Sequence, residues 1–143
     1  MTADCLFCRL LRREVPSYRI YEDDRFTVLL TIFPINPGHL MVVTNEHIES
    51  FYDVEDDLYG ALMLLVKRMA LLIKTVFSPL QVVMETSGVG NRHVHIHVLP
   101  VYGLYDRVPR EVLERQSAHP APEADLTRVL RQLRQSLAMQ PQG

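Results

Sequence analysis

The chain has 143 residues, 48% of them hydrophobic, and a formal net charge of -2. That length suits a single domain over residues 1–143, able to bury roughly two thirds of its unfolded surface. The charge balance excludes a broad nucleic-acid surface while leaving room for a small basic cleft, and no apolar run approaches the roughly 20 residues of a membrane span.

Taken from the start, Met1-Thr2-Ala3-Asp4-Cys5 carries no signal-peptide core, so the expectation is a soluble, cytoplasmic protein with no membrane partner. Cys5-Leu6-Phe7-Cys8 follows at once. Its spacing admits half of a tetrahedral metal site, a redox pair or two buried small apolar residues, and a structural disulfide is disfavoured in a cytosolic chain. Tyr18 to Tyr21 and Phe26 to Ile32 read as strands around the acidic turn Glu22-Asp23-Asp24-Arg25. Pro34-Ile35-Asn36-Pro37-Gly38 is a turn, after which His39 to Thr44 resumes as a third strand. Asn45 is a candidate cap for a short helical turn containing His47.

Asp53 is the candidate N-cap of the main helix, with acidic Glu55, Asp56 and Asp57 in its first turn. Leu58, Leu62, Leu65, Met69, Leu72, Ile73 and Val76 recur at helical spacing until Ser78-Pro79. Met63, Leu64 and Leu71 widen the apolar face beyond one stripe. Either a second copy of the chain or the C-terminal segment could cover that excess. Leu80 to Met84 is a fourth strand, and Gly88-Val89-Gly90-Asn91 turns into a fifth that Pro100 closes. Residues 102–122 read as an irregular segment, and Glu123 to Leu137 as a polar helix with Arg128, Arg131 and Arg134 on a solvated face. The sum is an α+β protein with a five-stranded sheet, one long helix and a C-terminal helix.

His93-Val94-His95-Ile96-His97-Val98 is the most informative stretch. Alternate residues of a strand face opposite sides, so Val94, Ile96 and Val98 enter the core while three imidazoles line the exposed edge of a site. Rings two residues apart lie about 6.6 Å apart along the strand, and His93 and His97 about 13 Å, so one metal does not take all three. One ring for a metal and the others for a substrate is the better division. A neutral imidazole is a nucleophile and general base near pH 7, and its protonated form stabilises an anionic oxygen. Such a row suits phosphoryl or nucleotidyl transfer.

These residues resemble the His-x-His-x-His motif of the histidine triad family. The likeness extends to Cys5-Leu6-Phe7-Cys8-Arg9, Ile20-Tyr21-Glu22-Asp23, Pro37-Gly38-His39-Leu40-Met41-Val42-Val43 and Glu46-His47-Ile48, and it looks closest to a bacterial, zinc-containing branch resembling diadenosine tetraphosphate hydrolases. The resemblance implies an antiparallel α+β domain, usually a homodimer, that binds a purine nucleotide and cleaves an α-phosphate linkage. It makes His95 the nucleophile, flanked by His97 and His39, and gives a structural zinc to Cys5, Cys8, His47 and His93, with no catalytic cofactor. Thr31, Ile32 and Phe33 fall at the sugar- and base-contacting end of the second strand. Thr31 stands where the family usually has Asp, and Gly88, Gly90 and Asn91 where a phosphate-contacting Gln loop is usual. The glycines still let backbone N–H groups approach an anion. The competing readings are a nucleotide-binding module without turnover and a metal-handling protein without nucleotide.

Overall fold

The computed structural model describes residues 4–103 and 120–140. A five-stranded antiparallel sheet has the order β1-β2-β3-β5-β4. Its strands are β1 Tyr18–Glu22, β2 Phe26–Leu30, β3 Leu40–Thr44, β4 Gln81–Glu85 and β5 His95–Val101. The α+β class and the five strands expected from the sequence are present, with helices α1 Leu6–Leu11, α2 Asp56–Phe77 and α3 Glu123–Met139.

Alternation divides the sheet into two unlike faces. Ile20, Phe26, Val28, Leu30, Leu40, Val42, Val94, Ile96 and Val98 share one core with Leu62, Leu65, Met69, Leu72 and Ile73 of α2 and Leu126, Val129 and Leu133 of α3. The opposite face holds a smaller cluster of Phe7, Leu29 and Val43 under α1. The three alternating histidines lie on this second face and are buried, not at an exposed edge as the alternation alone suggests. The short α1 was invisible to pattern reading, because six residues carry no helical period. Its N-cap is Cys5, whose Sγ accepts from the Cys8 N–H at 3.4 Å in the role usually filled by a serine oxygen. It ends in the left-handed Arg13, with the Glu14 N–H donating to the Arg9 carbonyl and the Arg13 N–H to that of Leu10.

Other boundaries move for local reasons. α2 starts at Asp56, not after Asp53, which lies in a 3-10 turn over Phe51–Asp53. Buried Val54 and exposed Glu55 separate the two, and the Glu55 carbonyl accepts from the Tyr59 N–H. Asn45 caps no helix; its amide ties Thr27 Oγ1 to the Asp23 carbonyl across the β1–β2 turn. Arg134 lies on a solvated face as expected, and from there its Nε also donates to the Arg19 carbonyl at 2.8 Å, tying α3 to β1.

Pro100 sits inside β5 rather than closing it. Its carbonyl accepts from Asn36 Nδ2 at 2.9 Å. The position of its missing N–H therefore faces the side where β3 has already ended, and no ladder bond is lost. In the irregular segment, His119, expected as a solvated loop residue, and Arg107 and Arg110, expected as surface charge, fall outside the described residues.

Candidate functional site

Backbone carbonyls and one backbone N–H decide which nitrogen of each ring carries its proton. His95 Nδ1 lies 2.6 Å from the His93 carbonyl, which only accepts, so Nδ1 is the protonated atom and Nε2 keeps its lone pair. His93 Nε2 donates to the Thr44 carbonyl at 2.6 Å, leaving its Nδ1 bare. His39 Nδ1 accepts from the Ile35 N–H at 3.1 Å, so neutral His39 donates from Nε2 to His97 Nδ1 at 2.9 Å. His97 in turn holds its proton on Nε2. A nucleophilic lone pair on His95 thus stands beside an N–H donor on His97, with ring centroids 5.1 Å apart.

The fold brings these rings together by register. Met41 of β3 pairs with His97 and Val43 with His95, which sets His39, just ahead of β3, beside His97. Burial lowers the pKa of all three strand histidines. Desolvation is the main cause for His93 and His95, and it takes His97 to about 4 with help from the neighbouring His95 charge. The row is therefore neutral at pH 7. The expected mixture of neutral and protonated rings gives way to neutral N–H donors, because a buried imidazolium has lost its hydration.

Cys5, Cys8, His47 and His93 place their ligand atoms within 4.8 Å of one another. Cys5 Sγ and His93 Nδ1 are 3.3 Å apart, Cys8 Sγ and His47 Nδ1 3.3 Å, Cys8 Sγ and His93 Nδ1 3.6 Å, and the two Nδ1 atoms 3.2 Å. A tetrahedral ion with bonds of about 2.3 Å to sulfur and about 2.0 Å to nitrogen spaces S and N by roughly 3.5 Å and two N atoms by roughly 3.3 Å. The residues fit such an ion. The Thr44 carbonyl supplies the outer contact that turns the bare Nδ1 of His93 inward.

A cavity of ≈ 240 Å³ opens next to His39 and His97, walled by Phe7, Leu10, Tyr18, Leu29, Thr31, Ile32, Phe33, Met41 and Asn91 among others. That lies just below the usual range of ligand pockets, roughly 300 to 1,000 Å³, and suits one ring-sized group. Thr31, Ile32, Phe33 and Asn91 are thus placed together on its wall. The Thr31 hydroxyl accepts from the Phe33 N–H at 3.2 Å. Gly88, at φ 72, instead lines a second, more polar cavity of ≈ 520 Å³ with Glu49, Ser50, Asp53, Arg92 and His93. Gly90 lines neither cavity.

Sequence reasoning missed Phe7. Its ring lies 4.7 Å from that of His95 at 33° and 5.7 Å from that of His93. The only signal available was its place between the two cysteines. Glu85 was missed as well; it faces His97 across the β4–β5 ladder, and its Oε2 is buried with no hydrogen-bond partner among the described residues.

Comparison with known proteins meets this geometry. The sequence profile of the HIT domain matches residues 12–104. An uncharacterised HIT-like protein of Borreliella burgdorferi is 32% identical over 104 residues, covering 68% of this chain and 75% of its own. The adenosine 5'-monophosphoramidase of Saccharomyces cerevisiae is 26% identical over 103 residues, 70% of this chain and 64% of its own. A zinc-bound histidine triad family protein of Mycobacterium smegmatis superposes with a TM-score of 0.74 at 23% identity, over 94% of each chain. With His93, His95 and His97 alternating into and along β5, the chain belongs to the HIT, or histidine triad, family.

Proposed function

We propose that the protein is a nucleotide hydrolase or nucleotidyl transferase that cleaves an α-phosphate linkage of a purine dinucleotide or phosphoramidate through His95. The observation that carries this reading is the locked tautomer of His95, whose Nδ1–H is held by the His93 carbonyl so that Nε2 presents its lone pair. In the reaction, Nε2 attacks the α-phosphorus, the bond from phosphorus to the leaving oxygen or nitrogen breaks, and the leaving group takes a proton from solvent. Water then cleaves the phosphorus–nitrogen bond and restores the imidazole. His97 Nε2–H, held in place through His39, donates to a phosphoryl oxygen as charge develops there. The cavity walled by Thr31, Ile32 and Phe33 takes the base, and Asn91, on the same wall, is the candidate for contact with the phosphate.

Cys5, Cys8, His47 and His93 would hold zinc. Four protein ligands would leave such an ion no open position, so it would supply structure rather than Lewis-acid chemistry. The phosphoramidase and the zinc-bound relative support these two readings respectively.

The test is intact-mass spectrometry of enzyme mixed with diadenosine polyphosphate or adenosine phosphoramidate, quenched in base because phosphorus–nitrogen bonds are acid-labile. A nucleotidyl adduct on the wild type and none on His95→Ala, with product released, is expected. Nucleotide binding with neither adduct nor product across the panel would replace this reading with a binding module.

A further inference from the structure

The metal-ligand cluster and the nucleophile share two direct connections. The first is covalent and short. The carbonyl that holds His95 Nδ1–H at 2.6 Å is that of His93, whose side chain is one of the four ligands and whose Nε2 is pinned on Thr44 at 2.6 Å. The second runs through α1. Phe7 lies between the ligands Cys5 and Cys8, is 3% exposed, and sets its ring 4.7 Å from that of His95 at 33°, close to an offset stack. Phe7 also touches His93 and walls the cavity beside His97.

With six residues α1 is too short to be stable alone. It packs on the sheet through Phe7, Leu29 and Val43, with Leu10, Leu11 and Met41 around them. Its C-terminal end is tied down by Arg19, which donates to the Leu10 and Leu11 carbonyls at 2.6 and 3.4 Å, so those polar contacts lie away from Cys5 and Cys8. Two of the four ligands, Cys5 and Cys8, are its N-cap and its buried third residue. An ion bound by them and by His47 and His93 therefore fixes the helix to the sheet at the point where Phe7 meets the nucleophile.

We propose that the four-ligand centre is a positioning device for His95, and that Phe7 is the positioning residue through which metal occupancy is transmitted to the nucleophile's ring. The proposal rests on the reading of His95 as nucleophile and of the cluster as a zinc site. It assigns to Phe7 a role distinct from packing: the ring keeps His95 in one rotamer while the His93 carbonyl keeps it in one tautomer. Leucine at position 7 would fill much of the same space without a face to stack on.

The experiment is long-range proton–nitrogen NMR of the histidine rings in the full-length, zinc-loaded protein, compared with zinc-loaded Phe7→Leu and with chelator-treated wild type. The zinc-loaded wild type is expected to show His95 as one sharp species with Nδ1 protonated and Nε2 bare, and a cross-relaxation peak between Phe7 and His95. Phe7→Leu is expected to keep one zinc per chain and its sheet resonances. Its His95 signals broaden or average, and kcat falls about tenfold with a smaller change in KM. Identical His95 signals in the wild type and Phe7→Leu would overturn the proposal, as would His95 signals unmoved by zinc removal in a protein that keeps its sheet resonances. If removing zinc unfolds the chain, the Phe7→Leu comparison decides alone. A missing nucleotidyl adduct with the NMR coupling intact would instead defeat the hydrolase reading and leave this one standing.

Discussion

At the scale of single residues, the site works because its imidazoles are kept dry. His97 is 8% exposed, and its pKa falls from 6.5 to about 4. An unfolded chain takes up a proton on this ring near pH 6.5, whereas the folded one resists until about 4, so between those values the unfolded state binds more protons. Stability from this group is therefore complete above pH 6.5 and lost as the pH falls toward 4, by roughly 3 kcal/mol at most. Denaturant unfolding at a series of pH values is expected to show this loss in the wild type and a shallower one in His97→Gln. Equal slopes would mean that His97 is not the group responsible. Glu85 has the opposite sign. Burial raises its carboxyl pKa, and its Oε2 has no partner among the described residues, so ionisation penalises the folded state. Glu85→Gln should raise the melting temperature at pH 8, with the gain vanishing near pH 4, where the carboxyl is protonated in both states. A gain that persists at pH 4 would assign the effect to packing.

At the scale of elements, the turn that delivers His39 is the most sharply constrained. Gly38 has φ 97, and a Cβ there would lie 2.9 Å from Phe77 Cε2 and 3.4 Å from Pro100 Cγ. Gly38→Ala should cost roughly 2 kcal/mol from backbone strain and crowding. It should also lower turnover, since the next residue is the His39 that orients His97. A midpoint shift in denaturant with unchanged activity would separate the turn from the relay. Pro37-Gly38, like the apolar runs of β2 and β3, the alternation of β5 and the helical period of α2, was legible in the sequence because each is a local pattern with a local cause. What escaped was either too short to carry a period, as with α1, or decided by a distant partner. Nothing near Pro100 announces that Asn36 would donate to its carbonyl, and nothing near His93 announces that α1 would fold over the histidine row. The metal-ligand set was readable only through the family resemblance, since Cys5 and His93 are 88 residues apart and meet across α1 and β5.

At the scale of the whole molecule, the sheet leaves one flank uncovered by the described residues. α3 packs on α2 and β1, whereas β4 is an edge strand with Met84 57% exposed and Leu80 60% exposed. On the neighbouring part of α2, Leu64 is 70% and Leu71 52% exposed. A shallow cavity between them is walled by Met63, Val66, Ala70, Val82 and Val83. An open strand edge continuous with an apolar helix face is a liability unless another surface covers it. We propose a second copy of the chain as that cover, related by a two-fold axis so that the same patch serves both subunits. Sedimentation equilibrium of the wild type is then expected to give twice the chain mass of 16.5 kDa at tens of micromolar. Leu64→Asp combined with Met84→Asp puts four like charges into the shared patch of the pair while changing only solvent-facing positions of each subunit. Its dissociation constant should rise at least a hundredfold, about 2.7 kcal/mol, with the far-ultraviolet spectrum preserved. A monomeric wild type, or a double variant that dimerises as tightly as its parent, would move the interface elsewhere or remove it.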